Sequence, residues 1–298
     1  DIRAQVDFDS LDRLVDDALT AQVDGFLVPA VASEVAFLSR EERRDILAQV
    51  IARTSRRVPI IAGASADDPA ESQRLSYEAA DLGADAVLIA IPSACYADPA
   101  RLLPFFRRAA DGTSLPLLIQ DLEFNGPGLS LDHMRTLADT LPTLAGWKIE
   151  TVPSGPKYTA VRAAFGPQCH ISGGWAVPQF IEALDRGVDA MIPEASMIRL
   201  YHAIRRLYLA GDRPASLTLF RSLLPILAFT NQEIRTSIAF FKRLLHRKQI
   251  FGTETMRWPG FTWDPHNSRI AEELLTHYLD WELKIAGFVD MRIEAAQR

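Results

Sequence analysis

Five lysines occur in the 298 residues, and one of them, Lys148, stands inside an apolar run, Leu144-Ala145-Gly146-Trp147-Lys148-Ile149-Glu150. An amine held in such a strand loses hydration, which favours its uncharged, nucleophilic form. That form attacks a carbonyl to give an imine, an electron sink for breaking a neighbouring bond. The other four lysines are expected to be solvated. The competing reading is structural: Lys148 pairs with Glu150 in a salt bridge and does no chemistry. Further polar residues stand where apolar runs end: Ser33-Glu34, Ser65, Pro92-Ser93, Gln120-Asp121, Gly173-Gly174-Trp175 and Glu194. Glu34 could orient a hydroxyl or activate water, or complement a helix dipole. Gln120 and Asp121 could bind substrate hydroxyls or satisfy loop amides. The pair Gly173-Gly174 suits close approach of backbone to a ligand and equally a tight turn. Glu150 tunes Lys148 or merely neutralises it. The six histidines are scattered, with His133, His202 and His246 on helices, and Cys95 and Cys169 lack metal-ligand spacing, so no metal site is expected. Trp175, Trp258 and Trp263 are expected to pack, Trp175 near the mouth of the site.

These residues need a scaffold that gathers strand ends. Seven short aliphatic runs read as strands: Gly25 to Ala30, Val58 to Ala64, Ala86 to Pro92, Leu115 to Asp121, Leu144 to Glu150, His170 to Gly174 and Ala190 to Glu194. Helical patterns alternate with them over 9–22, 40–54, 69–82, 97–110, 130–141, 155–165 and 176–186. Repeated βα units imply a parallel sheet. Seven are one short of a closed barrel, and the chain opens at Asp1 almost directly into a helix, so the first strand is expected to be missing from this sequence. The fold predicted is a (β/α)8 TIM barrel over 1–212, followed by a C-terminal helical appendage over 213–298 with helices at 214–229, 232–247 and 267–289. An open doubly wound sheet is the alternative, but no Gly-x-Gly-x-x-Gly turn follows the first strands. Barrel enzymes carry their chemistry at the C-terminal ends of the strands, where the polar residues above fall.

Composition excludes some partners. A formal charge of −6 spread along the chain leaves no basic stripe for nucleic acid. No apolar run reaches the roughly 18 residues a membrane span needs, and no signal peptide opens the chain, so a cytoplasmic protein is expected.

The order of strand ends resembles the dihydrodipicolinate synthase/N-acetylneuraminate lyase family of class I aldolases over nearly the whole chain. Gly146-Trp147-Lys148-Ile149-Glu150 falls where the family has Gly-Ile-Lys-Glu with its imine-forming lysine, and Pro59-Ile60-Ile61-Ala62-Gly63 is similar to its third-strand signature. Ala30-Val31-Ala32-Ser33-Glu34 stands at the family's Gly-Thr-Thr-Gly-Glu. The departures are specific. Val31-Ala32 replace the threonine pair, Gln120 the relay tyrosine and Ser93-Ala94 the tyrosine pair after strand four; the carboxylate-binding arginine after strand five is missing. Ser33-Glu34, Gln120-Asp121 and Lys148-Ile149-Glu150-Thr151 resemble a branch like 2-keto-3-deoxy-L-arabonate dehydratase.

The resemblance implies a Schiff-base lyase with Lys148, Glu34 and Glu150 as catalytic residues, and with Ser33, Ser93, Gln120, Asp121, Gly173 and Gly174 binding a small 2-keto acid. It implies no cofactor and a homotetramer. Dehydration tolerates loss of the tyrosine relay better than aldol cleavage does, so dehydration of a 2-keto-3-deoxy sugar acid is the expected reaction. A retro-aldol lyase with its relay rebuilt from Ser33, Gln120 or Ser93, and a silent sugar-acid-binding barrel, are the alternatives.

Overall fold

The computed structural model describes residues 3, 5–123, 125–174 and 177–296, with side chains to 292. The chain divides into two compact units, one of residues 24–30 and 39–193, the other of 1–23, 31–38 and 194–298.

The first unit is a parallel sheet of seven strands, each hydrogen-bonded to the next in sequence order. They are β1 (Phe26–Val28), β2 (Ile60–Gly63), β3 (Ala86–Ala90), β4 (Leu117–Leu122), β5 (Leu144–Glu150), β6 (His170–Gly173) and β7 (Ala190–Met191). Every strand foreseen from the aliphatic runs is present, and β5 has the expected bounds. The crossovers are helical: α2 (Arg40–Thr54), α3 (Pro69–Leu82), α4 (Ser93–Ala97), α5 (Leu102–Ala109), α6 (Leu131–Thr140), α7 (Ser154–Phe165) and α8 (Phe180–Asp185). Helix bounds are sharp where caps are strong. Ser39 and Glu42 form a capping box at the start of α2, and Asp68 with Pro69 opens α3, which closes on Gly83 at φ 90°. The helix expected over 97–110 is shortened to α5, because Asp98 and Pro99 start a 3-10 turn ahead of it; the short α4 before that turn was not foreseen.

The second unit is helical: α1 (Phe8–Thr20), α9 (Ile198–Leu209), α10 (Arg213–Thr230), α11 (Ile234–Arg247) and α12 (Pro265–Ala296). The helix α9 was not foreseen. A part-buried ionic network knits this unit: Lys248 Nζ reaches Glu282 Oε1 at 2.7 Å and the Ser196 carbonyl at 2.9 Å, and Arg199 pairs with Asp17. Trp263 stacks on Phe229 and Trp258 packs against Phe37, as expected of them. No helix among the described residues is long and apolar enough to cross a membrane.

Candidate active site

Alternation along a strand decides which residues share a face. In β5, Trp147 lies against Phe165 of α7 with ring centroids 6.0 Å apart, so the Trp147 and Ile149 side of the strand is covered by helix. Lys148 and Glu150 therefore point to the other side. Register across the sheet then sets out a row on that side: Ala90, Gln120, Lys148, Ser172 and Ala190 are successive partners from β3 to β7. This row depends on an irregularity. The pairing of β4 with β5 steps from Leu117 opposite Leu144 to Leu118 opposite Gly146, which leaves Ala145 as an extra residue. Without that step Gln120 would face Trp147.

Polar side chains gather at Lys148, which is 5% exposed. Its Nζ lies 2.6 Å from Oε2 of Glu150, itself buried. Gln120 Nε2 donates to that same oxygen. Gly174 completes the cluster. A Cβ there would stand 2.2 Å from Glu150 Oε1 and 2.7 Å from Lys148 Nζ, so only glycine lets the end of β6 come this close. One row below, partial burial lowers the His170 imidazole below the usual histidine range.

The structure thus brings together Lys148, Glu150, Gln120 and Gly174 from the residues foreseen, and separates others. Asp121, next to Gln120 in sequence, points to the helix-covered side. There it accepts from Tyr96 Oη at 2.8 Å and from the Leu129 amide at 3.1 Å, and pairs with Lys157 at 3.2 Å. Burial raises the Asp121 carboxyl above its usual range against the pull of Lys157, and burial together with the Asp121 charge pushes the Tyr96 phenol up. Gly173 also faces that side, where an added Cβ would meet Tyr158 Oη at 2.2 Å. Ser93 is exposed at the first residue of α4. Ser33 and Glu34 belong to the helical unit, Ser33 exposed and Glu34 buried at φ 54°. The Glu34 carboxylate is engaged there by Lys242 and by the Trp258 amide at 2.7 Å. Trp175 lies outside the described residues. Glu194, at the far end of the β7 segment, takes the Ser196 amide at 2.5 Å, and burial pushes its carboxyl up to about 7.

The expectation that the other lysines are solvated is corrected for two of them, while Lys284 is exposed as expected. Lys157 on α7 and Lys248 just past the end of α11 are largely buried and ion-paired, so a desolvated lysine is not by itself distinctive here. What sets Lys148 apart is its place inside a strand, between Gln120 and Ser172. Ser172, missed in the sequence, is fully buried, and strand alternation from Lys148 and Gly173 was the signal that could have found it. Among the described residues, no three His, Cys, Asp or Glu side chains are grouped to hold a metal ion.

The model of the dihydrodipicolinate synthetase family matches residues 1–277. The chain belongs to that family. Among curated relatives it is similar to a 4-hydroxy-tetrahydrodipicolinate synthase of Laribacter hongkongensis (strain HLHK9), 34% identical over 153 residues, 49% of this chain and 50% of that one. The chain thus spans about half the length of the curated relatives it matches. Among solved structures it is similar to the 4-hydroxy-tetrahydrodipicolinate synthase of Methylacidiphilum fumariolicum SolV, with a TM-score of 0.83 at 24% identity over 95% of this chain and 94% of the other. It is also similar to YagE of E. coli K12, solved in complex with pyruvate, with a TM-score of 0.81 at 22% identity over 92% and 93%. These similarities show the fold: the seven parallel strands and their helical crossovers are those of a (β/α)8 barrel.

Proposed function

We propose that the chain is a Schiff-base-forming lyase acting on a small 2-keto acid, with Lys148 as the imine-forming amine and dehydration of a 2-keto-3-deoxy sugar acid as the reaction. The observation that carries this reading is a buried strand lysine with a carboxylate oxygen 2.6 Å from its Nζ. Glu150 takes a proton from the Lys148 ammonium, and the freed lone pair attacks C2 of the keto acid. The carbonyl oxygen is protonated and leaves as water while the C=N bond forms, giving a cationic imine that acidifies C3. Glu150, again a carboxylate, removes a C3 proton. The resulting enamine expels the C4 hydroxyl, which takes up a proton and leaves as water, and hydrolysis of the imine frees Lys148. Gln120 holds the Glu150 carboxylate in place through all of these steps. The lysine is the electron sink, so the scheme calls on no cofactor.

Glu34 is less suited to be the base, because Lys242 and the Trp258 amide already occupy its oxygens. A second reading is retro-aldol cleavage that releases pyruvate, or the reverse synthesis that uses it, and the pyruvate complex of YagE supports it. Assembly as a homotetramer, with no nucleic-acid partner, belongs to the same proposal.

The test is incubation with pyruvate or 2-keto-3-deoxy-L-arabonate, reduction with borohydride, and peptide mapping beside Lys148→Ala. A mass increase confined to the Lys148 peptide is expected. Product analysis with the sugar acid separates a dehydrated dicarbonyl from pyruvate plus an aldehyde. Folded protein that gives no adduct with either keto acid overturns the imine and leaves the silent sugar-acid-binding barrel.

A further inference from the structure

Among the described residues, Ser172 is the one side chain of the Lys148 row whose polar atom meets no partner. Its neighbours in that row are accounted for: Ala90 and Ala190 carry no polar atom, and Gln120 and Lys148 both meet Glu150. The Ser172 hydroxyl is fully buried and makes no hydrogen bond to any described residue. A buried hydroxyl without a partner is destabilising. An alanine would fill the same space, as it does at both ends of the row. A hydroxyl kept there beside Lys148, on the same face and in direct register with it, is placed for a ligand.

We infer that Ser172 holds the C2 oxygen of the keto acid while the imine forms on Lys148, an inference that rests on the Schiff-base reading above. A serine hydroxyl both donates and accepts. It donates to the carbonyl oxygen as the Lys148 nitrogen adds to C2 and the C=O electron pair moves onto that oxygen. The oxygen takes its first proton from the added nitrogen, which regains its lone pair, and Ser172 keeps the hydroxyl in place until a second proton arrives from the Glu150 carboxyl. The C–O bond then breaks, water leaves, and the nitrogen lone pair completes the C=N bond. Ser172 gains and loses no proton overall. It acts on the formation and hydrolysis of the imine, while Glu150 also acts at C3.

The experiment is timed borohydride quenching of Ser172→Ala and Ser172→Thr with pyruvate, following the mass of the Lys148 peptide, with thermal unfolding measured on the same samples. The expected result is a rate of adduct formation about tenfold to a hundredfold lower in Ser172→Ala, the scale of one hydrogen bond to a developing charge. The final adduct level at saturating pyruvate stays at that of the unsubstituted protein, the unfolding temperature does not fall, and Ser172→Thr recovers most of the rate. A merely structural serine would lower stability and leave the rate constant of the folded protein alone. An unchanged rate in Ser172→Ala, with normal labelling of the unsubstituted protein, overturns this inference and leaves the Schiff-base reading standing. Absence of any Lys148 adduct in the unsubstituted protein overturns both.

Discussion

Replacing Gly174 by alanine tests the geometry around Lys148 with the smallest possible change. The new methyl group would sit 2.2 Å from Glu150 Oε1 and 2.7 Å from Lys148 Nζ, both well inside any normal contact. To restore ordinary van der Waals separation the carboxylate must retreat by about 1 Å. It has little freedom to do so, because it is buried and its other oxygen is held by Lys148 and Gln120. A displacement of about 1 Å at reacting groups costs on the order of a hundredfold in rate, or about 2.7 kcal/mol of barrier. Overpacking should add a stability loss of about 1–3 kcal/mol. The assay is timed borohydride trapping of the pyruvate adduct beside thermal unfolding. Gly187→Ala is the control: its φ of +66° strains any side chain, but nothing lies within 4 Å of the new atom, so it should lower stability and leave trapping alone. If Gly174→Ala forms adduct within about threefold of the unsubstituted rate and melts at the same temperature, the close approach inferred for the end of β6 is wrong.

Other perturbations address single contacts. In Ser172→Ala, removing a buried hydroxyl that lacks a partner should raise stability by about 1 kcal/mol in denaturant titrations, opposite in sign to the slower imine formation. Asp121→Asn leaves the Lys157 ammonium, 12% exposed, without its counter-charge, and should cost about 3–5 kcal/mol in the same titration. Glu194 gives a pH signature. Its carboxyl is raised to about 7 in the folded state, so the stability linked to it is fully present below the unfolded carboxyl value and is lost as pH rises toward 7. Glu194→Gln should abolish that decline, worth up to about 3 kcal/mol between roughly pH 4.5 and 7, and a parallel decline in both proteins would refute the assignment.

The sheet was legible because each strand is a compact aliphatic run between polar punctuation. Helices α2 and α3 were legible to the residue because their caps are written in Ser39-x-x-Glu42, Asp68-Pro69 and Gly83. Helix α9 escaped because its N-cap, Met197, carries no capping side chain, so nothing in sequence announces its start. The cluster around Lys148 was half legible. Lys148, Glu150 and Gln120 were read at the right strand ends, but Asp121 and Gly173 were grouped with them although neighbours on a strand face opposite ways. Applying that alternation from Lys148 outward separates Gln120 from Asp121 and Gly174 from Gly173, and brings in Ser172. The burial of Lys157 and Lys248 was not legible, since their acidic partners come from other elements: Asp121 is 36 positions from Lys157 and Glu282 is 34 from Lys248.

The extra residue at Ala145 also bears on how this strand tolerates change in length. Side chains alternate with a period of two, and everything downstream of the bulge inherits its phase from that one residue. A single insertion or deletion between Leu144 and Trp147 that moves the downstream residues one place along the ladder would bring Trp147 or Ile149 to the place of Lys148 and turn the amine into the helix layer. A change of two residues would preserve the phase. Lineages that remodel the start of β5 are therefore free to change its length in even steps, whereas an odd step exchanges the face that carries Lys148 for the packing face.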